Sequence, residues 1–145
     1  GDPMQREMVE KVLGAANFDM GFATVEYVAS ALVDLEFHDG AAPADLGMPP
    51  AITMRHATPQ FAHVFSGDGY SSGYYSYMWS EVMDADAFAA FEEAGSAFDP
   101  DRAAALEQHS LSTGGRLDAA ELYKAFRGRL PGVEALLKGR GLTAG

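Results

Sequence analysis

The chain has 145 residues, 48% of them hydrophobic, enough to bury one ordinary core and too few for two comfortable ones. It carries 21 acidic against 10 basic side chains, a formal charge of −11 that repels a phosphate backbone or an anionic lipid surface, so neither nucleic acid nor membrane is an expected partner. There is no cysteine, which removes disulfides and thiolate metal sites, leaves any metal to His, Asp and Glu, and is compatible with a reducing cytoplasm, the expected compartment, with a periplasm as the alternative.

Gly1-Asp2-Pro3 ahead of Met4 reads as a cloning scar, with residues 4–145 forming a single domain or subdomain. The start lacks the apolar core of a signal peptide, and no run approaches the roughly 18 apolar residues of a membrane span. From Met4 to about Ala16, Met8, Val9, Val12, Leu13 and Ala16 recur at helical steps and predict an amphipathic helix. A second, more buried helix is expected from a cap at Asp19 to about Phe37, with Phe22, Val25, Val28, Ala29, Leu32, Val33 and Leu35 along it. Four prolines mark residues 41–60 as an irregular connection. Phe61 to Phe65 reads as a short extended piece, and Ser66 to Gly69 as a flexible loop whose glycines widen the backbone choices. A long helix is predicted to start between Ser71 and Tyr74 and to stop at Gly95. Another opens at Asp99-Pro100, and Gly114-Gly115 closes the stretch after it. Leu117 to Gly128 and Gly132 to Gly139 are the last two helical segments. The expected class is therefore all-α, a bundle of about six helices with almost no strand.

Several patterns invite chemistry and fail on context. Gly69-Tyr70-Ser71-Ser72-Gly73 matches the Gly-x-Ser-x-Gly elbow of serine hydrolases, which needs a strand before the serine and a helix after it. No strand–helix alternation is visible, and the only histidine in the right order, His109, falls in an ordinary helical stretch. Asp84-Ala85-Asp86 starts like a calcium loop, but the required glycine is replaced by Ala89. The histidines His38, His56, His63 and His109 lie far apart, none in a His-Glu-x-x-His helix, and Glu26, buried by pattern, is a single carboxylate. No metal ligand set follows from any of these.

The aromatic run from Tyr70 to Trp79 is different. In a helix, Tyr70, Tyr74, Tyr77 and Glu81 would share one face and Tyr75, Met78, Trp79 and Val82 its neighbour. Tryptophan and methionine are natural core fillers. Buried phenols, however, each cost about 1–3 kcal/mol when left without a hydrogen-bond partner. A tyrosine stripe facing a polar cleft avoids that penalty, and the glycine-rich loop beside it suits a gate.

The run Phe61-Ala62-His63-Val64-Phe65-Ser66-Gly67-Asp68-Gly69-Tyr70-Ser71-Ser72-Gly73-Tyr74-Tyr75-Ser76-Tyr77-Met78-Trp79-Ser80-Glu81-Val82 resembles the substrate-binding segment of M3-family zinc metallopeptidases, in their peptidyl-dipeptidase and oligopeptidase A branch. The likeness extends to Gly21–Tyr27, Met54-Arg55-His56, Asp84–Phe88 and Phe126-Arg127-Gly128-Arg129-Leu130-Pro131, nearly the whole chain. The resemblance implies that Tyr70 and Tyr77 donate hydrogen bonds to the oxyanion of a short peptide substrate. It further implies that His63, Tyr74 and the loop glycines Gly67 and Gly69 bind that substrate. The family's zinc sits on a His-Glu-x-x-His helix absent from this sequence. The chain is therefore expected to be the C-terminal part of a catalytic domain that, without its upstream part, binds no catalytic zinc and hydrolyses nothing. The competing expectation is a free-standing, non-catalytic helical peptide-binding module.

Overall fold

A computed structural model describes residues 4–39 and 60–143. The Gly1–Pro3 segment, the proline-rich connection before Gln60 and the Met54-Arg55-His56 motif lie outside the described residues. The described residues are mainly helical, with no strand among them. They fall into two compact units, residues 1–78 with 140–142 and residues 79–139 with 143–145.

In the first unit, helix α1 (Arg6–Ala15) buries nothing and carries the pairs Arg6–Glu10 at 3.0 Å and Lys11–Glu7 at 2.8 Å on its exposed surface. The chain then turns through Asp19, whose φ of 57° is left-handed, into α2 (Met20–Asp39). Asp19 meets the helix through its carbonyl, which accepts the Ala23 N–H at 2.9 Å. The expected order of burial holds, since α2 buries Ser30, Ala31, Val33 and Asp34. Its polar residues are satisfied along the helix: Ser30 Oγ donates to the Glu26 carbonyl and Thr24 Oγ1 to that of Met20. Glu26 is only half-buried.

Phe61 to Phe65 is not extended. Ala62–Phe65 forms a single helical turn, α3, and the reason is the spacing of its anchors. Phe61 and Val64, 1% and 0% exposed, are three residues apart, which puts both on one side of a helical turn and would have split them across a strand. The same turn leaves His63 pointing to solvent. Among the described residues of this unit, Ala31, Val33, Phe61 and Val64 are the buried apolar ones.

Helix α4 (Ser76–Ala94) starts later than the pattern predicts. The N–H groups of Ser72 and Tyr74 are taken by the Asp34 carboxylate at 3.1 and 2.9 Å, and Ser72 has a φ of 55°, so the backbone before Ser76 is a turn. The helix stops where expected, at Gly95 with a φ of 85°.

In the second unit, Val82, Asp86 and Ala90 are the buried residues of α4, four apart on one face. Helix α5 (Pro100–Leu106) is capped by Asp99, whose Oδ1 accepts the Arg102 N–H at 2.9 Å, with proline at its start. It runs into a π-helical turn, Glu107–Leu111, so His109 does not sit in ordinary α-helix. There Ser112 N–H and Oγ both donate to the Glu107 carbonyl, five residues back, which holds the wider turn. Gly114–Arg116 is a 3₁₀ turn. Helix α6 (Ala119–Arg127) buries Tyr123 and Phe126, and α7 (Glu134–Gly139) follows. No described helix is long and apolar enough to cross a membrane.

A charge network around the buried Asp86 and Arg127 side chains organises this second unit. Asp86 accepts from Tyr123 Oη at 2.8 Å, Arg127 Nε at 3.2 Å and Arg129 Nη2 at 2.5 Å, and Arg127 forks onto Glu93 at 2.7 and 2.5 Å. Burial alone would raise the Asp86 pKa, but the hydrogen bonds and charge of Tyr123, Arg129 and Arg127 outweigh it and hold the carboxyl below the usual range. Burial and the Asp86 charge push the Tyr123 phenol well above its ordinary value. Asp84 and Asp86 thus belong to a continuous helix, and Asp86 is committed to two guanidinium groups and a phenol.

Candidate functional site

The sequence-predicted site residues come together in the first unit although they do not share a helix face. His63 projects from α3, Tyr70 closes a 3₁₀ turn (Asp68–Tyr70), Tyr74 lies in the turn before α4, and Tyr77 is in that helix's first turn. Three tyrosines from a 3₁₀ turn, a turn and the first turn of α4 therefore converge on the imidazole of α3. His63 Nε2 lies 2.8 Å from Tyr77 Oη. The His63 ring centroid is 4.9 Å from that of Tyr70, 5.7 Å from Tyr77 and 6.0 Å from Tyr74, and Tyr74 meets Tyr77 edge-on at 5.5 Å. Tyr70 and Tyr77 remain 55% and 46% exposed, so their phenols are accessible to a ligand from solvent.

Tyr74 has a second role as the anchor of the cluster. Its ring stacks on Tyr27 at 5.2 Å and meets Phe61 edge-on at 5.0 Å, while Tyr27 Oη donates to its carbonyl at 2.5 Å. The helical-stripe expectation is corrected in this respect: of the four residues assigned to one face, only Tyr77 and Glu81 lie in α4, and Tyr70 belongs to the separate 3₁₀ turn. Of the neighbouring set, Val82 is buried and Met78 half-buried, whereas Trp79 and Tyr75 are 60% and 52% exposed.

The loop glycines behave less specially than their sequence suggests. Gly67 is extended, with φ 163° and ψ 161°, Gly69 lies in the 3₁₀ turn, and a Cβ at either position would meet nothing within 4 Å. Neither position requires glycine by backbone or by space. Gly73 is the tight one, since a Cβ there would come within 3.3 Å of the Tyr70 carbonyl oxygen. The Gly69–Gly73 run passes from a 3₁₀ turn into further turn, so the strand half of a nucleophile elbow is missing around Ser71.

Sequence reasoning missed Asp34, Tyr27 and Gly73. Asp34 carried a readable signal: it lies four residues after Ser30 and three after Ala31, an acid on the buried face of α2. Tyr27 and Gly73 matter through contacts made 47 residues apart or across a turn, which no local pattern encodes.

Chemically, the cluster offers two accessible phenols and an imidazole. A tyrosine hydroxyl is a preformed donor that suits developing negative charge on oxygen, and a neutral imidazole nitrogen accepts from one phenol and orients it. Among the described residues, no three His, Asp or Glu side chains converge as a metal ligand set.

The description "Peptidase family M3" belongs to the family model that matches residues 1–142. The chain belongs to peptidase family M3. This M3 chain is 31% identical to oligopeptidase A of Haemophilus influenzae, over 98% of its own length and 23% of that protein. It is 34% identical to the chloroplastic/mitochondrial organellar oligopeptidase A of Arabidopsis thaliana, over 99% of its own length and 20% of that protein. With dipeptidyl carboxypeptidase of Escherichia coli the identity is 31%, over 99% of this chain and 23% of that protein. The M3 chain thus spans less than a quarter of the length of these curated relatives.

Proposed function

We propose that this M3 chain is the C-terminal, substrate-gripping part of the catalytic domain of a zinc-dependent peptidyl-dipeptidase or oligopeptidase that hydrolyses short peptides. The observation that carries the reading is the convergence of Tyr70, Tyr74 and Tyr77 around His63, with two phenols open to solvent. Tyr70 and Tyr77 donate to the carbonyl oxygen of the scissile peptide as it becomes an oxyanion. His63 orients Tyr77 in the free protein and turns to the substrate backbone when Tyr77 engages the carbonyl. Tyr74 anchors the cluster, and its ring edge forms part of the peptide-binding wall. A zinc ion, if held by ligands in an upstream part of the catalytic domain, would supply an activated water. In this proposal the chain by itself hydrolyses nothing.

The test is made in the full-length protein. Tyr70→Phe and Tyr77→Phe should each lower kcat on a short peptide by about 100- to 1000-fold, the usual effect of removing one oxyanion donor, with the helical circular dichroism unchanged. An unchanged kcat in both variants removes the oxyanion role.

A further inference from the structure

Among the described residues of the first unit, Asp34 is the one fully buried carboxylate, 0% exposed on a helix whose flanking residues there are Val33 and Leu35. An ionised carboxylate only accepts, and burying it is unfavourable unless donors reach it. Its donors come from the tyrosine turn: Ser72 N–H to Oδ1 at 3.1 Å and Tyr74 N–H to Oδ2 at 2.9 Å. The other charged or titratable neighbour is His38, one helical turn on, with Nδ1 3.1 Å from Oδ1 and 2.7 Å from the Asp34 carbonyl oxygen. His38 in turn stacks on Phe65 of α3 at 5.7 Å.

What the carboxylate holds is a strained piece of backbone. Ser72 is left-handed at a φ of 55°, a conformation that disfavours any residue with a Cβ and is kept when its surroundings impose it. One oxygen on each side of that turn fixes the direction in which the chain leaves Tyr70 and enters α4. The same two bonds set Tyr74 between Tyr27 and Phe61 and bring Tyr77 to hydrogen-bonding distance of His63.

We propose that Asp34 is a positioning residue for the tyrosine cluster: its buried carboxylate locks the Ser72–Tyr74 turn and so presents Tyr70 and Tyr77 to the substrate carbonyl. The inference rests on the reading of those two phenols as oxyanion donors. It assigns Asp34 no contact with substrate.

The experiment compares the wild-type full-length protein with Asp34→Asn, Ser72→Val and the double variant Asp34→Asn/Ser72→Gly. It reads kcat on a short peptide and hydrogen exchange in peptic fragments covering Gly69–Ser76. A carboxamide keeps one acceptor and replaces the other with a donor that faces an N–H, so Asp34→Asn should speed exchange in that fragment by about tenfold or more while the α2 and α4 amides stay protected. It should lower kcat by about tenfold or more, with bound metal unchanged. Glycine at position 72 relieves the left-handed strain and should restore about threefold or more of the lost kcat in the double variant. A role confined to general stability would not produce that rescue. Should Asp34→Asn fail to fold, Ser72→Val strains the same turn without emptying a buried site, and it too should lower kcat by about threefold or more. Unchanged exchange in the Gly69–Ser76 fragment, or unchanged kcat in every variant that folds, overturns the inference. If the wild-type protein cleaves no peptide, the proposed function fails instead, and the exchange result alone decides whether Asp34 orders the turn.

Discussion

Two aspartates among the described residues are almost wholly inaccessible, and they show how the partner decides what a buried carboxylate does. Asp34 is met by backbone N–H groups and fixes a turn; Asp86 is met by Tyr123, Arg127 and Arg129 and ties the end of α6 to α4. Because the Asp86 pKa is lowered on folding, its contribution to stability is present above the ordinary aspartate range and is lost as pH falls through the depressed folded value. Stability measured by urea unfolding should therefore decline steeply with acid below about pH 4. Asp86→Asn should destabilise the protein by about 3 kcal/mol at neutral pH and flatten that acid dependence, since two guanidinium groups lose their counter-charge. An unaltered slope in the variant would show that Asp86 does not carry the acid sensitivity. Asp86 and Arg129 sit in stretches already conspicuous in the sequence, yet nothing local says that they pair, because 43 residues separate them.

Among the helices, the ends were more legible than the faces. Asp99-Pro100, Gly95 and the Gly114-Gly115 pair mark boundaries because capping and left-handed glycine are local chemistry. Helix α6 is bounded in the same way, with Asp118 Oδ1 accepting the N–H groups of Ala120 and Glu121 and Gly128 at a φ of 84° after its last turn. Asp118→Ala and Gly128→Ala should each lower the unfolding free energy by about 1 kcal/mol in urea titrations, one by losing the cap and the other by forcing a Cβ into a left-handed position. A variant within experimental error of wild type would mean that the corresponding helix end frays in solution. The two misread boundaries share a cause. Phe61 to Phe65 became helical because Phe61 and Val64 had to reach one core, and α4 was delayed to Ser76 because a carboxylate on α2 captured the N–H groups of the preceding turn.

Across the molecule as a whole, much apolar surface remains open. Met8, Val12 and Leu13 on α1 and Phe22 and Val25 on α2 are each more than half exposed. The chain also spans only 20–23% of the curated M3 relatives it matches. If, as in the proposed function, further parts of a larger peptidase cover those faces, the isolated chain should bind more of the dye ANS per mole than the full-length protein and should self-associate as its concentration rises. Equal dye binding, with a single species at all concentrations in sedimentation velocity, would show that the faces need no cover.

The amino-acid sequence determined the all-α class, most helix ends and the tyrosine-rich segment in which the proposed site lies, because helical period, caps and a dense tyrosine run are properties of neighbours along the chain. Its resemblance to M3 peptidases likewise rests on contiguous motifs, and the match over residues 1–142 agrees with it. The tertiary structure alone decided how His63, Tyr70, Tyr74 and Tyr77 meet. They converge from separate short elements instead of lining one helix, held by Asp34 and Tyr27 from a helix some 40 residues upstream. That difference is physical: a stripe on one helix needs only a fixed rise per residue, whereas a cluster built across a turn depends on buried partners that exist only once the chain has folded.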